Sequence, residues 1–144
     1  MLKRIMQTLI IGLLLAGCGS FSPQPGAELS GKIDISPQKA RTGKIFLTVS
    51  DDGTRINDIT LWLTNVQCAG VTTGMVNFNV TVDSPLEGKR FDIQNEYIGE
   101  ITGSFQAPTR AGGNIYLILS KSLTNSNAPC DLGTYQWSAS AGTE

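Results

Sequence analysis

From about residue 31 the chain alternates apolar and polar positions with period two, broken by turn residues, which is the pattern of half-buried β-strands. Ile33 and Ile35 are set against Lys32 and Asp34, Ile45, Leu47 and Val49 against Phe46 and Thr48, and Ile59, Leu61 and Leu63 against Thr60, Trp62 and Thr64. The cleanest alternation is Val76, Phe78, Val80 and Val82 against Asn77, Asn79 and Thr81, which predicts one buried and one wet face. Phe91 and Ile93 mark a further strand, followed by Ile101, Gly103 and Phe105, then Ile115, Leu117 and Leu119, and finally Tyr135, Trp137 and Ala139. Turns fall at Asp51-Asp52-Gly53, at Ser84 to Gly88 and at Ala107 to Arg110, where Asp, Gly and Pro fit turn dihedrals. No long stretch after residue 18 carries helical spacing. Seven to nine short strands predict an all-β domain, an antiparallel sandwich over residues 31–144. A small closed barrel is the alternative, because strand count and spacing do not separate the two.

The first residues break this pattern. Lys3 and Arg4 precede an apolar run from Leu9 to Leu15, the layout of a secretory signal peptide. The run is far shorter than the roughly 20 apolar residues of a membrane-spanning helix. Leu15-Ala16-Gly17-Cys18 resembles the lipobox of bacterial lipoproteins: a bulky apolar residue, two small ones, then cysteine. The resemblance implies cleavage after Gly17, diacylglycerol on the Cys18 sulfur and acylation of the new amino terminus. Residues 1–17 are then a signal peptide, and acyl chains such as palmitate, at about 0.8 kcal/mol per buried methylene, hold the chain to a membrane outside the cytoplasm. Gly19 instead of aspartate after the cysteine favours the outer membrane in enteric-type bacteria. Residues 18–30, rich in Ser, Pro and Gly, are expected to be the lipidated cysteine and a flexible tether.

Composition narrows the chemistry. Lys3 and Arg4 are two of the 11 basic residues, so residues 18–144 carry 9 basic against 12 acidic side chains, a net charge of −3 with the signs interspersed. Nothing there attracts a phosphate backbone, which argues against nucleic acid as a partner. The chain has no histidine, which removes the usual general base, histidine-dependent triads and the commonest zinc ligand. Of three cysteines one is assigned to lipid, and Cys68 and Cys130 remain as a disulfide pair for an oxidising compartment, with two free thiols as the alternative.

Two stretches resemble a recurring, largely uncharacterised immunoglobulin-like sandwich module of bacterial secreted proteins. One is Leu47-Thr48-Val49-Ser50-Asp51-Asp52-Gly53 with the strand leading to Cys68; the other is Ile101-Thr102-Gly103-Ser104-Phe105, Pro108 to Gly112, Cys130 and Trp137-Ser138-Ala139. The resemblance implies an immunoglobulin-like fold and brings no catalytic residue. Tryptophan often packs beside the bridge of such sandwiches, so Trp137 is expected near Cys68–Cys130.

Asp51, Asp52 and Asp58, with Asn57, flank one turn and could offer oxygens to calcium, but the spaced acidic loop of an EF-hand is missing and a hairpin turn accounts for them. Asp83, Glu87, Asp92, Glu96 and Glu100 could supply a glycosidase pair, yet alternation spreads them over both faces and a loop. Trp62 and Tyr116 occupy the polar phase of strands whose other phase is strongly apolar, and Asn77 and Asn79 form a polar stripe. These four residues are the candidate ligand-binding set. No catalytic residue, cofactor or metal is assigned. The expectation is a non-enzymatic binding or structural module of the cell envelope, its partner a polysaccharide or an envelope protein. The alternative is an inhibitor or assembly factor that inserts the Ser120–Pro129 segment, with Leu123, into a target; a carboxylate hydrolase ranks third.

Overall fold

The computed structural model describes residues 20–142. The signal peptide and Cys18 of the sequence expectation lie outside the described residues. Eight strands follow in order: β1 (Glu28–Ile33), β2 (Thr42–Val49), β3 (Arg55–Cys68), β4 (Val71–Pro85), β5 (Arg90–Asn95), β6 (Gly99–Ala107), β7 (Arg110–Leu119) and β8 (Cys130–Ala141). One short helix, α1 (Lys121–Thr124), sits between β7 and β8.

All strands lie in a single antiparallel sheet of order β4-β3-β2-β1-β8-β7-β6-β5. Seven ladders hold it, each joining neighbours in sequence except the one that joins β1 to β8. The strands thus form an up-and-down meander that curls round until one seam is left, between β4 and β5. The all-β antiparallel expectation holds. The layers expected of a sandwich are two halves of one curled sheet, and the topology is that of a barrel one ladder short of closure.

Alternation explains which way each strand faces. Ile45, Leu47, Val49, Ile56, Ile59, Leu61, Leu63, Ile101, Ile115, Leu117 and Leu119 are all buried and fill the interior. In β3 the buried phase steps from Ile56 to Ile59 and from Leu63 to Val66. An irregularity in the β3–β4 ladder accounts for the first step and the positive φ of Asn65 (48°) accompanies the second; each lets a 14-residue strand bend round the core. Val76 is buried, but Phe78, Val80 and Val82 are half-buried, because β4 is the last strand of the sheet among the described residues.

At the joint of the two halves, Gly31 of β1 lies opposite Ala139 of β8. A Cβ on Gly31 would fall 1.7 Å from the Ser138 carbonyl oxygen, so the approach of the two strands requires glycine. The Cys68–Cys130 disulfide, with an S–S distance of 1.99 Å, ties the end of β3 to the start of β8 across the same interior.

Three placements differ from expectation. The domain begins before residue 31: β1 starts at Glu28, Pro23 and Ala27 are buried, and the Gln24 amide donates to the Pro108 carbonyl at 2.8 Å. Phe21 packs against the core under the Lys89 ammonium, 3.7 Å from its ring centroid, so the segment expected as tether is docked from Phe21 onward. Trp137 is not beside the bridge. It lies seven positions along β8 from Cys130, packs on Phe91 at 5.9 Å between centroids, and donates from its indole to the Thr102 carbonyl at 3.1 Å. Finally, residues 121–124 form α1, whose single turn is too short to show a helical period in the sequence.

Candidate functional site

The outward phase of β2, β3 and β4 builds one polar field around Trp62. Cross-strand register sets its rows. Lys32, Lys44, Trp62 and Asn77 form one, and Ser30, Phe46, Thr60 and Asn79 the next. Glu28, Thr48, Asp58 and Thr81 form a third. Trp62 is 41% exposed, and its ring leans on Phe46 with centroids 4.9 Å apart and planes at 57°. Because β3 has a paired strand on either side, the ring is supported at its base and open above.

Polar side chains around it are tied to one another across the strands. Asn79 donates from Nδ2 to Thr60 Oγ1 at 2.5 Å, Thr81 from Oγ1 to Asp58 at 2.7 Å, and Thr42 and Thr64 share a 2.6 Å hydroxyl contact. Such bonds fix rotamers before any ligand arrives, which lowers the ordering cost of a shallow contact. Lys44 is exposed on one side of Trp62 and Asn77 on the other. A planar ring flanked by an amide and an ammonium can stack on an apolar ring face and bond the hydroxyls or acids at its rim.

Of the four expected residues, the fold brings Trp62, Asn77 and Asn79 together and leaves Tyr116 out. Tyr116 faces outward on β7, with β2, β1 and β8 between it and β3. Its hydroxyl donates to Asp131 Oδ2 at 2.9 Å, and that bond to a carboxylate raises the phenol pKa above its usual 10.0. Phe46 and Lys44 were missed. Phe46 gave a signal, since it interrupts the polar phase of β2 as Trp62 interrupts that of β3.

Of the other candidates, only Asp83, Glu87 and Asp92 come near one another, around hollows at the β4–β5 seam. Asp52 spends its carboxylate on the β2–β3 turn, accepting from Ser50 Oγ at 2.6 Å and from the Thr54 amide and hydroxyl at 3.0 and 2.7 Å. Asp58 faces the outer field with Thr81, and among the described residues no group of three or more Asp, Glu, Cys or His side chains could hold a metal. Asp83 bonds Arg55, Glu96 sits at the opposite end of the sheet, and Glu100 lies on β6. Glu87 and Asp92 share a hollow of about 440 Å³ with Arg90, Ser84 and Pro85. In the Ser120–Pro129 segment Leu123 packs on the core, Thr124 is buried, and its carbonyl accepts from Thr73 Oγ1 at 3.3 Å. The tip from Asn125 to Pro129, with Cys68 and Cys130 at its base, borders a second hollow of about 450 Å³.

No protein-family model matches the chain, and neither the curated proteins nor the solved structures contain a match.

Proposed function

We propose that this chain is a lipid-anchored, non-enzymatic binding module of the cell envelope that takes polysaccharide on the outer face of β2–β4. The observation that carries the reading is the exposed Trp62 ring, braced by Phe46 and bordered by Asn77, Asn79, Thr60 and Lys44 on the outer sheet face. A half-open indole beside hydroxyls and amides offers an apolar face on which a sugar ring can stack. The lipobox resemblance of Leu15–Cys18 supports the anchoring; the immunoglobulin-like expectation lends no support, because a single up-and-down meander lacks the two sheets and Greek-key connection of that fold. With Phe21 docked, a lipid on Cys18 leaves Gly19 and Ser20 as the link, so the domain stays close to the membrane surface.

Fluorescence offers a direct test. The chain has two tryptophans, and Trp137 is buried at 3% exposure, so a ligand stacking on the sheet changes the emission of Trp62 alone. Titration of the full chain in detergent with protease-treated envelope polysaccharide should give a saturable shift that Trp62→Ala abolishes. Emission that stays flat throughout would remove the proposal.

A further inference from the structure

We infer that the polymer taken at Trp62 is acidic, with a carboxylate or phosphate on its sugars that Lys44 holds; this rests on the glycan reading of the face. Lys44 stands directly opposite Trp62 in the β2–β3 ladder. Its exposed ammonium meets neither a carboxylate nor an aromatic ring among the described residues. Lys32, its row neighbour on β1, is already paired with Asp34 at 3.1 Å. Two ammonium groups against one carboxylate leave that side of the ring with a net positive charge.

Distance keeps that charge from being cancelled. The row of Ser30, Phe46, Thr60 and Asn79 is uncharged, and the acids Glu28 and Asp58 appear only in the row after it. From Lys44 to the position of Thr48 is about 13 Å at the rise of a strand, beyond the Debye length of about 8 Å at physiological salt. Tyr116, the other outward aromatic, shows the contrast. It stands opposite Glu100 in the β6–β7 ladder and bonds Asp131 at 2.9 Å, so an anion is repelled there. Of the two rings, Trp62 alone sits in a field that attracts an acid, in a chain whose residues 18–144 sum to −3.

The same rows give the polymer a direction. Lys44, Trp62 and Asn77 lie side by side on three neighbouring strands, a span of about 10 Å at the spacing of paired strands. A short oligosaccharide laid across the strands stacks one ring on Trp62, offers hydroxyls to the Asn77 amide and gives its acid to the Lys44 ammonium as a charge-assisted hydrogen bond. Laid along the strands, the same polymer meets Glu28 and Asp58 and is repelled, so charge selects the crosswise path.

The test separates protease-treated envelope polysaccharide by anion exchange into neutral and acidic fractions and titrates each against Trp62 emission of the full chain in detergent. The acidic fraction should give the saturable shift, with an affinity that falls as salt is raised, and the neutral fraction should give none. Lys44→Gln should weaken binding of the acidic fraction about tenfold, the scale of one hydrogen bond to a charged group, and flatten the salt dependence. Lys121→Gln removes the same charge from exposed α1 and should change neither. Reduction of the carboxyl groups abolishes the shift where the acid is a uronate, and dephosphorylation with hydrogen fluoride abolishes it where the acid is a phosphate; a shift that survives both overturns the inference. So does a neutral fraction that binds as well as the acidic one, or an acidic fraction that binds Lys44→Gln undiminished, and either leaves glycan binding standing. Emission that stays flat with both fractions removes the glycan reading and the inference with it.

Discussion

Ile59 and Trp62 sit three residues apart on β3 and serve opposite purposes. Ile59 is fully buried, and truncation to alanine should cost about 2–5 kcal/mol of unfolding free energy, as deletion of a packed aliphatic side chain does. Trp62→Ala removes an open ring and should shift the thermal midpoint little. Denaturation of the two variants side by side separates core from surface. Both roles were legible from alternation alone. The role of Asp52 was not, because its carboxylate acts within one turn and leaves no periodic trace. Hydrogen bonds from Ser50, then from the Thr54 side chain and amide, lower its pKa from 3.8 to about 2. A pKa depressed by folding stabilises fully above 3.8, and the contribution fades as pH falls and is gone below about 2. Asp52→Asn should therefore flatten the dependence of unfolding free energy on pH between about 4 and 2, with little change of slope above that window. Urea titrations at stepped pH read this directly, and an unchanged acid limb would contradict the turn assignment.

At the scale of elements, strands and their facing directions were readable, while partners at long range were not. Nothing local marks β1 as the neighbour of β8, because the two lie at opposite ends of the domain. Gly31 is the residue that permits their contact, and it reads in the sequence as one more glycine near a strand. Gly31→Ala drives a Cβ into the Ser138 carbonyl and should destabilise by at least the 1–3 kcal/mol typical of overpacking, which chemical denaturation would show. The cleanest alternation, in β4, belongs to the edge of the sheet. A solvated outer face is what makes alternation clean, whereas the double bends of β3 blur it. The aromatic pair needed two neighbouring strands in known register before Phe46 could be placed beside Trp62.

For the whole molecule, the decisive long-range tie was also the most legible. Three cysteines, one assigned to lipid, left Cys68 and Cys130, and they are bridged across 62 residues. Closing a loop of that length stabilises by roughly 4 kcal/mol in chain-entropy terms, so Cys130→Ala or reduction should lower the unfolding free energy by about that amount. Comparison of unfolding with and without reductant checks the figure. The seam between β4 and β5 was not legible, since turn residues at Ser84–Gly88 announce a hairpin and say nothing of whether its arms pair. The proposed glycan contact lies on the outer face of β2–β4. The most direct test is to immobilise the full chain and its Trp62→Ala variant, expose both to envelope extract with and without protease digestion, and assay retained sugar. Carbohydrate held by the parent after protease and released by the variant is the predicted result. Retention that vanishes on protease treatment, or is equal for the two proteins, would contradict it.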